Sequence, residues 1–156
     1  MRSARERLRY GRGHGCRPAR EEGGTAGPDA HHNWEAAVFA QACLEMDRLV
    51  RALGGGAAVV PNLPGAGDLL VTTSGGRSSR LGRLLGLGLT YRQARERMAG
   101  DTLESADTVD VVGGAIPSMV ERGVIAPGAL PLMEHLHAII VLGREASMPF
   151  ERFFRE

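Results

Sequence analysis

The sequence predicts an all-α, multi-helix domain preceded by a disordered N-terminal arm, on three observations. From Asn33 onward apolar residues recur three and four positions apart, the period of one helix face. The only β-like run is Ala57 to Val60, too brief to found a sheet. The first 32 residues differ in kind: seven Arg, four acidic residues, six Gly and two Pro, with almost no apolar periodicity. A segment that buries no apolar area cannot offset the entropy of ordering it, so 1–32 is expected to be a disordered arm and 33–156 the domain.

The elements follow in order. Asn33 is placed to cap a first helix, whose apolar face is Ala36, Ala40, Cys43, Met46, Val50 and Leu53. Gly54, Gly55 and Gly56 stop it. Pro61 and Pro64 make an irregular entry to Gly65, and a second helix is expected near Asp68. A third covers Ser78 to Leu87 and closes at Gly88. Thr90 and Gln93 have the spacing of a capping box for a fourth helix running to Met98. Val109, Val112, Ile116, Met119 and Val120 mark a fifth face, which Gly113, Gly114 and Pro117 are expected to bend or break. Pro131 suits the first turn of a sixth helix bearing Leu132, Leu136, Ile139 and Ile140. A last short helix is expected from Pro149 to Phe154.

Composition excludes several classes of function. No uncharged apolar run approaches the roughly 20 residues that span a bilayer. No apolar segment follows the N-terminal Arg residues, so no secretory signal is read and a cytoplasmic protein is expected. Cys16 and Cys43 match no zinc or redox spacing and are read as free thiols. His135 and His137 stand two apart, off a common helix face, so no metal pair is expected. All 19 basic residues are Arg, so no step can use a lysine amine within this sequence. The Arg-rich arm lacks interleaved aromatics, and nucleic acid is not expected as a partner.

The chemistry concentrates between Gly65 and Arg80. Gly65 and Gly67 permit a sharp turn before Asp68, and Asp68 and Thr72 share a helix face at i and i+4. A Gly75-Gly76 bend follows, then Arg77, Ser78 and Ser79. Free backbone N–H groups, hydroxyls and a guanidinium fork suit a phosphate ester, and a carboxylate suits the hydroxyls of a polyol. On chemistry alone two readings stand level: a ligand site, or a helix start with an ordinary loop. The stretch lacks the Gly-Lys-Ser/Thr ending of a P-loop. It also lacks the third glycine of a dinucleotide fingerprint.

Several elements, in order, resemble the NAD(P)-dependent glycerol-3-phosphate dehydrogenases. They are Gly65 to Leu69 with Thr72, then Gly75-Gly76-Arg77-Ser78, then Leu81-Gly82-Arg83-Leu84-Leu85-Gly86. Asn33-x-x-Ala36-Ala37 with Leu44-Glu45-Met46, Gly100 to Ala106, and Leu130-Pro131-Leu132 are similar to further family elements. The likeness covers Asn33 to the end, about four-fifths of the chain. Ser78 stands where the family usually has Asn, and Ser105 where Gly is common.

The resemblance implies the multi-helix C-terminal, substrate-binding domain of the glycerol-3-phosphate dehydrogenase and 6-phosphogluconate dehydrogenase-like type. Asp68 and Thr72 would face the glycerol hydroxyls in a supporting role. Arg77, with the Gly76 backbone and Ser78, would hold the phosphate of glycerol 3-phosphate or dihydroxyacetone phosphate. Arg77, Thr102 and Glu104 would lie near an NAD or NADP cofactor. The family's Rossmann domain and catalytic Lys are missing from this sequence, and His31 and His32 are not taken as a substitute base. The chain alone is therefore expected to be inactive, with no catalytic residue of its own. A homodimer is compatible with the resemblance. A non-catalytic phosphate-binding or dimerisation module on the same helices is the alternative.

Overall fold

The computed structural model describes residues 32–149; residues 1–31 of the expected arm and 150–154 of the expected last helix lie outside it, while His32, the expected last residue of the arm, is the first of a helix. Pro149 itself is not helical. The described residues contain six α-helices and no strand. They are α1 (His32–Ala52), α2 (Asp68–Ser74), α3 (Arg77–Gly86), α4 (Tyr91–Arg97), α5 (Glu104–Glu121) and α6 (Pro131–Ile140). A π turn, Leu63–Gly67, runs directly into α2. The β-like run Ala57 to Val60 forms turns, with Val60 buried.

The helix α1 departs from its sequence pattern. It starts at His32, so Asn33 lies inside the first turn and is not its cap. Of the expected apolar face, Ala36, Ala40 and Leu53 are exposed; the buried side chains of α1 are Gln41 and Glu45. The reason lies at the start of α6. Pro131 has no N–H, and no side chain of Leu130 caps the helix. The Leu132 N–H donates to Glu45 Oε1 at 2.7 Å and the Met133 N–H to Glu45 Oε2 at 2.9 Å. The Glu134 N–H meets the Leu130 carbonyl, so every first-turn donor has a partner. Gln41 Nε2 also donates to Glu45 Oε1, at 2.7 Å. A charged cap for one helix is thus drawn from the middle of another. Arg48 adds a bond to the Ala129 carbonyl at 2.8 Å.

Two apolar clusters hold α3, α4, α5 and α6. Leu81, Ala94, Met98, Leu103 and Ala106 join α3, α4 and the start of α5. Ile116, Ile125 and Leu130 join α5 to the loop before α6, with Leu49, Met119 and Met133 packed on them. The capping box at Thr90 is present in full, Thr90 with Gln93. α3 ends at Gly86, and the Gly88 N–H closes onto the Leu85 carbonyl at 2.9 Å.

Of the expected bend or break, there is no break: α5 runs continuously through Gly113, Gly114 and Pro117. Gly113 is buried, and a Cβ there would stand 2.5 Å from the Cβ of His137. Its role is close approach: α6 lies against α5 where a larger residue would collide. His137 Nε2 sits 3.9 Å from Asp110 Oδ1. No group of three or more metal-ligating side chains occurs among the described residues. None of the described helices is long and apolar enough to cross a membrane.

Candidate functional site

Asp68 is set in place by the π turn. The Ala66 N–H donates to the Val60 carbonyl at 2.7 Å, and the Gly65 N–H to the Asn62 carbonyl at 3.1 Å. Gly65 is buried, and a Cβ built on it would lie 2.3 Å from the Val60 oxygen. Only a residue without a side chain lets the chain fold back on Val60 this tightly. The Asp68 N–H then closes onto the Gly65 and Leu63 carbonyls, and α2 begins with the exposed Asp68 carboxylate. Thr72 follows one turn later on the same face.

A sharp corner separates α2 from α3. Gly75 is extended, and Gly76 has φ of 102°, a conformation that favours glycine. α3 starts at Arg77 with no side chain capping its first turn. Ser79, which the sequence reading did not single out, reaches back across the corner. Its hydroxyl lies 3.0 Å from the Thr72 carbonyl oxygen and 3.1 Å from that of Thr73. Its only sequence signal was a third hydroxyl-bearing residue in the Gly-rich bend.

The start of α3 is docked on the segment leading into α5. The Arg77 guanidinium donates to Thr102 Oγ1 and lies 3.9 Å from Glu104 Oε2. Thr102 Oγ1 in turn donates to Glu104 Oε1 at 3.4 Å. Ser78 Oγ and Ser105 Oγ are 2.9 Å apart, and Arg80 pairs with Asp101 at 2.9 Å. The three residues read from the sequence as cofactor-side, Arg77, Thr102 and Glu104, therefore form one polar group. Asp68 and Thr72 are not joined to it: no hydrogen bond or ion pair links either side chain to Arg77 among the described residues. The group is open, with the Arg77 side chain 49% and the Glu104 side chain 78% exposed. An exposed guanidinium beside free backbone N–H groups can receive a phosphate. An exposed carboxylate can accept from an amide or a sugar hydroxyl.

A separate groove lies elsewhere on α2. A groove of about 790 Å³ lies between α1 and α2, walled by Trp34, Phe39, Leu69, Leu70, Thr73 and Met148 among others. Leu70 and Ser74, both lining it, stand two positions after Asp68 and Thr72, roughly 160° around the helix, so the groove lies on the far side of α2 from them.

The sequence of residues 21–149 matches the family described as the NAD-dependent glycerol-3-phosphate dehydrogenase C-terminus. The chain belongs to this family. A glycerol-3-phosphate dehydrogenase [NAD(P)+] of Pseudomonas aeruginosa is 31% identical over 83% of the chain and 36% of its own length. The enzyme of the same name from Trichlorobacter lovleyi is 38% identical over 52% of the chain and 26% of its own. An NADP(+)-dependent glycerol-3-phosphate dehydrogenase of Archaeoglobus fulgidus is 39% identical over 42% of the chain and 20% of its own. The chain thus spans little more than a third, or less, of the curated relatives it matches. No solved structure matches it. The family match begins upstream of Asn33, within the stretch whose composition reads as an arm. Ser78 and Ser105, the two positions read from the sequence as departures from the family pattern, are hydrogen-bonded to each other.

Proposed function

We propose that the residues from α1 onward are the substrate-binding domain of an NAD(P)-dependent glycerol-3-phosphate dehydrogenase, and that the Arg-rich residues at the start of the sequence are an arm outside it. The substrate is glycerol 3-phosphate in one direction and dihydroxyacetone phosphate in the other. One observation carries the reading. The Arg77 guanidinium stands exposed at the start of α3, held by Thr102 and Glu104 and preceded by the sharply turned Gly76. That arrangement offers a fork of donors and a helix start to one phosphate. Ser78 adds a hydroxyl beside it. Asp68 and Thr72, on the preceding helix, accept from and donate to the glycerol hydroxyls.

The residues fit one edge of a nicotinamide cofactor and not the whole of it. Glu104 and Thr102 provide a carboxylate and a hydroxyl for an amide or ribose. Gly65 to Gly67, however, form a π turn packed on Val60, not a strand-to-helix turn that cradles a pyrophosphate. The nucleotide is therefore held chiefly by a nucleotide-binding domain that these residues do not supply. When bound, the nicotinamide accepts or donates the hydride. The residues of this chain bind and orient the phosphate ester. Moving the hydroxyl proton needs a base, and the sequence contains no Lys.

The chain alone is accordingly expected to bind glycerol 3-phosphate without oxidising it. Two measurements on the purified chain test this. NMR titration with glycerol 3-phosphate should shift the amides of Gly76, Arg77 and Ser78, and an assay with NAD or NADP should give no turnover. Absence of any shift at those amides would remove the substrate reading and favour a module built on the same helices with another role. Turnover that disappears in Arg77→Ala would instead show a working enzyme.

A further inference from the structure

We infer that Ser79 is a positioning residue: its hydroxyl clamps the corner between α2 and α3 and so fixes Arg77 relative to Asp68 and Thr72. The inference rests on the reading above, in which those three side chains share one ligand.

The corner has little else to hold it. Neither Gly75 nor Gly76 has any heavy atom within 4 Å of the place a Cβ would occupy. Two successive glycines without packing neighbours retain more backbone freedom than any other pair. α2 has seven residues, none of them buried, so beyond the π turn at its start neither its length nor its packing anchors it. Its own terminal hydroxyls turn inward: Thr73 Oγ1 and Ser74 Oγ both bond to the Leu70 carbonyl, at 2.8 and 3.1 Å. The carbonyls of Thr72 and Thr73 belong to the last turn of α2 and have no partner within the helix. Ser79 Oγ lies within hydrogen-bond distance of both, sharing one proton between them. Among the described residues, no other side-chain hydrogen bond passes between α2 and α3.

The other flank of α3 is tied down independently. Arg77 to Thr102, Ser78 to Ser105 and Arg80 to Asp101 register α3 against the approach to α5. Ser79 thus connects α2, which bears the polyol-side residues, to a helix already fixed on the phosphate side. Thr72 and Thr73 are exposed, so water can replace the serine hydroxyl at their carbonyls with little loss of stability. What removal costs is the fixed angle between the two halves of the site, and preorganised geometry is what a small ligand reads.

The experiment compares the full chain with Ser79→Ala and Ser79→Thr by backbone ¹⁵N relaxation and by titration with glycerol 3-phosphate. In Ser79→Ala the order parameters of the Gly75 and Gly76 amides should fall from a rigid level toward about 0.6 or lower. The dissociation constant should rise about five- to tenfold, with the melting temperature within about 3 °C of the parent. Ser79→Thr, which keeps a hydroxyl, should restore both readouts. An unchanged corner in Ser79→Ala overturns the clamp, and a loosened corner with unchanged affinity overturns the positioning role. If the parent chain does not bind glycerol 3-phosphate but Ser79→Ala still loosens the corner, the clamp stands and the substrate reading falls.

Discussion

Glu45 and Arg77 both tie one helix to another through a charged side chain, yet their surroundings are opposite. Glu45 is 5% exposed, and both of its oxygens are spent on protein donors: two amides of α6 and the side chain of Gln41. The Arg77 side chain is 49% exposed, and its partners, Thr102 and Glu104, are themselves exposed. A carboxylate in the first position is stable only because its acceptors are all used, and it has nothing left to offer a ligand. A guanidinium in the second has N–H groups to spare and water as their default partner. The difference separates a structural charge from one available for binding without reference to residue type.

The comparison predicts its largest effect at Glu45. Glu45→Ala would leave the Leu132 and Met133 amides and the Gln41 side chain without their partner in a buried place. It is expected to cost about 3 kcal/mol in urea unfolding. Glu45→Gln presents one acceptor oxygen where two donors need one each, and should cost about 1–2 kcal/mol. A loss under about 0.5 kcal/mol in Glu45→Ala would mean that water reaches the start of α6, and the contrast with Arg77 would collapse. Next comes Gly113. A Cβ there meets the His137 Cβ, which is bound to the backbone and cannot swing aside. Gly113→Ala should therefore destabilise by about 1–3 kcal/mol, although alanine ordinarily favours a helix interior. A stabilised Gly113→Ala would show that α5 and α6 do not approach so closely.

These two positions also show what the sequence could and could not reveal. Apolar spacing located α1, α5 and α6, and turn and cap signals such as Thr90 with Gln93 located the rest, because both depend on neighbours in sequence. Glu45 was invisible to the same reading. Its partners stand 87 and 88 positions away, and a periodicity rule assigns a charged residue to the solvent face. Gly113 was read only as a place where the helix should bend or break, because its reason, the side of His137, is likewise a tertiary one. At the candidate site, Arg77, Thr102 and Glu104 were legible through the family resemblance, and they do lie together. Ser79 carried no motif; its bonds depend on the angle between two helices, which no spacing rule encodes. The face of α2 bearing Asp68 and Thr72 followed from spacing, whereas the separate groove on its far side did not.

The smallest expected effect on stability, and the sharpest contrast, belongs to Arg77→Ala. The guanidinium is half exposed, Glu104 stands 3.9 Å away with a mostly exposed side chain, and such pairs contribute little. Unfolding free energy should stay within about 0.5 kcal/mol of the parent. Affinity for glycerol 3-phosphate should nevertheless fall about ten- to a hundredfold, the usual consequence of removing a charge-assisted bond to a phosphate. Arg77→Lys keeps the charge but not the planar fork that also reaches Thr102, and should recover only part of that affinity. Calorimetric titration beside urea unfolding separates the two quantities. If Arg77→Ala lost stability on the scale of Glu45→Ala, Arg77 would be a second structural charge, and its exposure would not mark it as a ligand group. If stability held and affinity fell, half-exposure with donors to spare would be the property that distinguishes the binding charge from the buried one.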